Sequence, residues 1–270
     1  MKFRELINYL DEQFPRYLSM PGDNDGVDVC VDYNLEIGRI LVVLDITFES
    51  IDYAITNGYN CILSHHTVVH EPIKKLDLNN SMTKKAIMLA RHDICAASYH
   101  TRLDSADGGV NDCLLKASNI ADNNIEILFY PDGNVPIGRI VTLDKEMDLH
   151  DFAGSIKKSL EEFYIKEFSR DVKIDVKVMS SNGKSKKIGV VCGSGMSFVD
   201  IAAKMEIDTF FTGESKYYSM LGAYENYNIN IITAGHVETE TVVLPFMKQT
   251  IIEKFPEAKV DCFIGTNINL

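Results

Sequence analysis

The sequence lacks a surplus of positive charge. Its 270 residues carry 27 Lys and Arg against 39 Asp and Glu, a formal net charge of −12, with a pI near 5.0. A general nucleic-acid binder needs a basic footprint to neutralise phosphates, so the charge argues against that class. Small anionic substrates are not excluded, because a bound dication resets the local field. No apolar run approaches the ~18 residues that a membrane span requires, and no membrane partner is expected. No Cys-x-x-Cys spacing occurs. Cysteines 30, 61, 95, 113, 192 and 262 are scattered, mostly inside apolar runs, and read as reduced thiols buried as small hydrophobes in a cytoplasmic protein. No signal-peptide pattern is found either, since Met1-Lys2-Phe3-Arg4 leads into an amphipathic stretch with charges throughout. What is present is 46% apolar residues, enough to bury the core of one large domain or two modest ones.

In chain order, Phe3, Leu6, Ile7, Leu10 and Phe14 recur every three to four residues, which predicts a helix over 2–14 that Pro15 ends or bends. Residues 20–37 are rich in Gly, Asp and Asn and predict a loop. Its acidic cluster, Asp23-Asn24-Asp25, is more simply turn chemistry than a cation site. The aliphatic run 39–45 predicts a strand covered on both faces. Thr47, with Ser50 competing, caps a helix that Gly58 ends. A strand at 61–63 follows, then a helix over 82–92, a strand over 94–99 and a short helix over 110–115. Strands are expected at 125–130, 137–143 and 171–179 around a helix at 149–164, with a polar hairpin turn or linker at 180–187. The last third predicts strands at 188–192, 208–212 and 229–234, with helices over 197–205, 215–227 and 237–254. Pro245 should kink the last helix or delay its start. This alternation predicts an α/β fold with parallel or mixed sheets.

The histidines carry the chemical signal. His65 and His66 follow the strand at 61–63, His100 follows the strand at 94–99, and His236 follows the strand at 229–234. Two adjacent imidazoles at the end of a buried strand are good ligands for a divalent transition metal; exposed or hydrogen-bonded histidines are the ordinary alternative. An internal duplication strengthens the metal reading. Sliding the chain by 148 places Arg39–His66 on Lys187–Glu214 without a gap, and sliding by 136 places His100 on His236 and Asp104 on Glu240. Two similar lobes, residues 1–127 and 128–270, are therefore expected to face each other across a metal-binding cleft, with their strand ends converging. The donors His65, His66, Asp104, His236 and Glu240 are too many for one tetrahedral zinc site. They suit two divalent ions sharing carboxylates, about 3.5–4 Å apart, with water in the open positions. Imidazoles favour Zn, Fe, Ni or Co over Mg or Ca. Glu214 is a candidate general base or orienting carboxylate, or simply a first-turn carboxylate on the following helix. His100 is a candidate for hydrogen bonding to a ligand or a substrate oxygen, or a buried His bonded to backbone. Gly193-Ser194-Gly195 could cradle a phosphate, though such a triplet is usually a tight turn.

Five segments then stand together: Ile62-Leu63-Ser64-His65-His66; Tyr99-His100-Thr101-Arg102-Leu103-Asp104 with Gly108-Gly109-Val110-Asn111-Asp112; Val191-Cys192-Gly193-Ser194-Gly195; Thr212-Gly213-Glu214-Ser215-Lys216-Tyr217; and Gly235-His236-Val237-Glu238-Thr239-Glu240. Jointly they resemble the Nif-three-like dinuclear metal-centre family, also called the GTP cyclohydrolase I type 2 homologue family. The resemblance implies two related α/β lobes, a two-metal site (Zn, Fe, Mn, Ni or Co) held by the same five ligands, and a homohexamer built as a trimer of dimers. It implies a metal-dependent hydrolase acting on a nucleotide or phosphoester, or else a non-catalytic metal-binding, metal-insertion or scaffold protein. Tyr218, the segment 23–27 and the C-terminal stretch from Cys262 to Thr266 depart from the family pattern; they bear on substrate contacts and the C-terminal fold rather than on the ligands.

Overall fold

A computed structural model describes residues 1–120, 125–131 and 135–265. In chain order the elements are α1 (Phe3–Gln13), β1 (Gly26–Val29), β2 (Arg39–Val43), α2 (Phe48–Asn57), β3 (Cys61–Ser64), α3 (Ser81–Arg91), β4 (Cys95–Ser98), α4 (Thr101–Ser105), α5 (Val110–Ala117), β5 (Ile125–Leu128) and β6 (Gly138–Asp148). There follow α6 (Leu149–Phe168), β7 (Lys177–Met179), β8 (Lys184–Val191), α7 (Val199–Ala203), β9 (Thr209–Thr212), α8 (Tyr217–Tyr227), β10 (Asn230–Thr233), α9 (His236–Glu240), α10 (Leu244–Lys254) and β11 (Lys259–Phe263). Short 3-10 turns precede α7 and α10.

Two compact units result, each with its own mixed sheet. The first contains Met1–Leu103 and the stretch that begins at Leu244; the second runs from Asp104 to Val243. In the first unit the strand order is β1-β4-β3-β2-β11. β2, β3, β4 and β11 run parallel, and β1 pairs antiparallel to β4 at the edge. One face buries Leu41, Val43, Ile62 and Ala96 with Ile51 and Ala54 of α2 and Leu89 of α3. Ile40 and Val42, pointing the other way, are also fully buried, so the run 40–43 is apolar throughout because both faces are covered. α1 buries Phe3, Leu6, Ile7 and Leu10, each worth about 1.5–3 kcal/mol of apolar transfer. Thr47 and Ser50 do not compete as caps. They cap reciprocally, the Thr47 hydroxyl taking the Ser50 N–H and the Ser50 hydroxyl taking the Thr47 N–H, and Gly58 closes α2 in the left-handed region at φ +70°.

The second unit orders its strands β5-β6-β8-β9-β10-β7. Its parallel trio β8-β9-β10 is edged by the antiparallel β7, as β2-β3-β4 is edged by β1. The registers agree as well. Ile40 pairs with Cys61 in the first sheet and Ile188 with Thr209 in the second, and both pairs are related by the same 148-residue offset read from the sequence. The duplication is thus a property of strand order and register.

Several expectations change. The loop at 20–37 contains β1. Residues 171–176 are not a strand, although Val172 and Ile174 are buried: side chains of α6 serve the backbone there, Glu161 accepting the Ile174 N–H at 3.1 Å. In the polar stretch 180–187, residues 181–183 form a bend and residues 184–187 start β8, whose Lys186 and Lys187 N–H groups are held by Asp208. The helix expected over 237–254 is three pieces, and Pro245 stands in the first turn of α10, where its missing N–H costs nothing. β11 was not foreseen. Its pairing with β2 returns the chain to the first sheet, so the packing differs from a single cut at 127/128. Residues 266–270, and residues 121–124 and 132–134 of the boundary region, lie outside the described residues.

Candidate functional site

The candidate donors follow the carboxyl ends of parallel strands, directly or in the short helix that comes next: His65 and His66 after β3, His100 and then Asp104 of α4 after β4, and His236 and Glu240 of α9 after β10. In the first unit the β2–β3 ladder runs on past Ser64, with the His65 N–H donating to Val43 O and the His66 N–H to Leu44 O. This fixes the backbone under both imidazoles. His100 follows β4 directly. The rings of His65, His66 and His100 have centroids 4.8, 5.3 and 5.5 Å apart pairwise, and one ring nitrogen of each lies within 4.8 Å of the others.

The hydrogen bonds choose the nitrogen. His65 Nδ1 lies 3.0 Å from Tyr99 O, His66 Nδ1 lies 2.9 Å from Asp45 Oδ1, and His100 Nδ1 lies 3.1 Å from both Asp23 oxygens. Carbonyl and carboxylate oxygens only accept, so Nδ1 carries the hydrogen and Nε2 keeps the lone pair. The acidic segment 23–25 therefore does more than shape a turn: it anchors His100, Thr101 and Arg102. Although burial works against it, hydrogen bonds from His100 and Thr101 hold the Asp23 carboxyl well below the usual carboxylate range. Asp25, buried, takes the His100 N–H and the Arg102 guanidinium. A hollow of about 320 Å³ is lined by Asp23, Asn24, His66, Thr67, His70 and His100.

In the second unit the donors are Asp104, His236 and Glu240. The Asp104 backbone is held by buried Asn111, whose amide donates to Asp104 O at 2.9 Å while its oxygen takes the Cys192 N–H at 3.0 Å. The Cys192 thiol donates to Asp104 Oδ1 at 3.3 Å; burial, reinforced by Asp104 and Glu240, pushes that thiol up. Carboxylate oxygens of Asp104 and Glu240 lie within 4.8 Å of each other. His236 and Glu240 share one face of α9 at i,i+4 spacing, with Nε2 and Oε2 2.9 Å apart. His236 Nδ1 is 3.0 Å from Glu214 Oε1, and the Ser194 hydroxyl donates to the same carboxylate at 2.5 Å. These two hydrogen bonds hold the Glu214 carboxyl below its usual range, which suits an orienting carboxylate better than a base near neutral pH. With Nδ1 donating to Glu214, the Nε2–Oε2 contact requires a cation or an imidazolium proton to satisfy it. Gly193, at φ +53°, leaves the room this pair needs: a Cβ there would run into Glu240 Oε1 and lie 3.2 Å from His236 Nε2.

The structure thus gathers His65, His66 and His100 in one unit and Asp104, His236 and Glu240 in the other, all members of His, Asp and Glu groups able to hold a metal ion, with Glu214 against His236. Among the described residues no helix is long and apolar enough to cross a membrane. The positioning residues Asp45, Asp23, Asn111 and Cys192 escaped sequence reasoning. Asp45 ends the run 39–45 and so had the same strand-end signal as the histidines; Asp23 came to its histidine only through folding.

Residues 1–269 match the family described as Duf34/NIF3 (NGG1p interacting factor 3). A Clostridium perfringens protein named GTP cyclohydrolase 1 type 2 homolog is 31% identical over 254 residues, 94% of this chain and 92% of that one. A Clostridium acetobutylicum protein of the same name is 30% identical over 247 residues, 89% and 85% of the two chains. The crystal structure of a Staphylococcus aureus hypothetical protein superposes with a TM-score of 0.85 at 25% identity, covering 100% of this chain and 98% of that one.

Proposed function

The chain belongs to the Duf34/NIF3 family, and on that premise we propose that it binds two divalent metal ions and uses them to hydrolyse a nucleotide or another phosphoester. The supporting observation is that all four strand-end imidazoles have Nδ1 at a hydrogen-bond acceptor (Tyr99 O, Asp45, Asp23 and Glu214). Pinning the tautomer in this way is how proteins prepare histidine for a metal. His65, His66, Asp104, His236 and Glu240 are the ligands in this reading: three imidazoles for a transition metal and two carboxylates able to bridge. Bound cations of this kind supply a water of lowered pKa, a hydroxide near neutral pH.

The surrounding residues have separate tasks. Glu214 is a positioning residue that orients His236. His100 lines the hollow beside His66 and contacts a substrate oxygen there. Purine nucleotides, GTP first, are the substrates to try, since the curated relatives carry the GTP cyclohydrolase name. We further propose the homohexameric assembly that the family resemblance implies.

The test is metal content against turnover. Protein purified without chelator or His tag is expected to carry about two divalent ions per chain, and Glu240→Gln and His65→Gln to carry fewer. Turnover of a nucleotide or phosphoester that is lost with the metal supports hydrolysis. Tight metal with no turnover on a broad panel would reassign the protein to metal binding or metal insertion without hydrolysis, and a chain that stays metal-free in zinc, iron and manganese would end the proposal.

A further inference from the structure

A second hollow, of about 510 Å³, opens at the carboxyl ends of β8 and β9 in the second unit. It is lined by Ser194, Met196, Ser197, Glu214, Ser215, Lys216 and Ser219. Adjacent parallel strands splay their following loops there, which is where open α/β sheets bind ligands. The frame is preformed. Gly193 O accepts from both the Glu214 N–H (2.9 Å) and the Thr212 hydroxyl (3.1 Å), and that hydroxyl accepts the Gly195 N–H at 3.0 Å. The loop after β8 is thereby tied to the loop after β9.

The lining has a definite chemistry. Four of its seven side chains are serine hydroxyls, and only Met196 is apolar. Its single anion, Glu214, is already engaged by Ser194 and His236. Its single cation, Lys216, has no ion pair among the described residues, and the hydroxyls of Ser197 and Ser219 have no hydrogen-bond partner among them. In a chain of net charge −12, Lys216 is the hollow's one cationic group. A cation would be repelled by it, and an apolar ligand would strip water from the hydroxyls without return. A doubly charged oxyanion offers acceptors to the ammonium and to several hydroxyls at once. The volume exceeds that of a phosphate alone and falls in the range of small-molecule sites, so the group can arrive attached to a larger body.

We infer that this hollow binds a phosphate monoester through Lys216 and the Ser197 and Ser219 hydroxyls, whose hydrogens, unlike those of Ser194 and Ser215, are not already donated within the chain. The inference names a substrate anchor for the proposed hydrolase and rests on that reading for its role in turnover; the binding itself requires no metal. Glu214 stands at the border, one carboxylate facing the hollow and also orienting His236.

The experiment is calorimetric titration of the chelator-dialysed protein with GMP, with guanosine as the control lacking phosphate. GMP is expected to bind in chelator, and guanosine at least about tenfold more weakly. Lys216→Gln should weaken GMP by about tenfold or more and Ser219→Ala by less, while both variants keep the wild-type circular dichroism spectrum and metal content, because Lys216 and Ser219 are exposed and neither is a proposed ligand. No binding of GMP up to about 10 mM, or equal affinity in Lys216→Gln, overturns the inference. Metal stoichiometry is read separately, so phosphate binding by a chain that never takes up metal would sink the hydrolase and spare the anchor.

Discussion

Replacing Asp28 by asparagine should stabilise the protein, and only above about pH 4. Asp28 lies in β1 and ties down the segment after the paired histidines: its Oδ1 accepts the Val69 N–H at 3.0 Å. Burial outweighs its hydrogen bonds from Val69, Ser98 and Val68 and raises the carboxyl from 3.8 to about 6. Below both values the group is protonated folded and unfolded, and it contributes no difference. Between them the unfolded chain ionises while the folded chain holds its proton, so stability falls as pH rises. Above about 6 both states are ionised, and the fold carries a constant penalty. Two pH units at about 1.4 kcal/mol each give a penalty of about 3 kcal/mol. The Asp28→Asn substitution removes the charge and keeps an acceptor for Val69, but the new amide hydrogens need partners, so a gain of about 1–3 kcal/mol is expected at pH 7.5. The assay is urea unfolding of wild type and Asp28→Asn in chelator at half-unit steps from pH 4 to pH 8, with chelator present because bound metal would add its own pH-dependent linkage. Asp23, whose lowered value works in the opposite sense and fails at low pH, is common to both proteins and cancels. A variant no more stable than wild type at pH 7.5, or a difference that does not shrink toward pH 4, would refute the reasoning.

The other expectations are briefer. Asp45→Ala should lower metal affinity by about 10–100-fold, measured by competition with a chromophoric chelator, because His66 loses the carboxylate at Nδ1. Gly193→Ala should cost about 1–3 kcal/mol from its positive φ and lower metal content as well, since the added methyl meets Glu240; chemical denaturation and elemental analysis check the two parts. Iodoacetamide at pH 8 should leave Cys61, Cys113 and Cys192 unmodified by mass spectrometry, because burial pushes all three thiols up, Cys113 to about 12. Native mass spectrometry should show six copies of the 30.3 kDa chain if the proposed assembly forms.

Much of the site's address was legible in the letters alone. The short apolar stretches 40–43, 61–63, 95–97, 210–211 and 231–232 are buried along their whole length, the pattern expected of strands covered on both faces. Because chemistry in parallel sheets collects at strand ends, the donor residues could be named by position along the chain. The 148-residue offset survived as an identical register because register follows the hydrophobic pattern. Other features were out of reach. β1, the strand-like stretch 171–176 and β11 were misread or missed, since edge pairing depends on which backbone groups a neighbour leaves open. Pairings between residues distant in sequence were equally invisible: Asp23 with His100, Asn111 with Cys192, Glu214 with His236. Local sequence determined which residues carry metal-binding chemistry and which strands deliver them, because periodicity and side-chain type act within a few residues. Tertiary structure alone decided which nitrogen of each imidazole is presented, because that depends on an acceptor brought from elsewhere by the packing of the sheet.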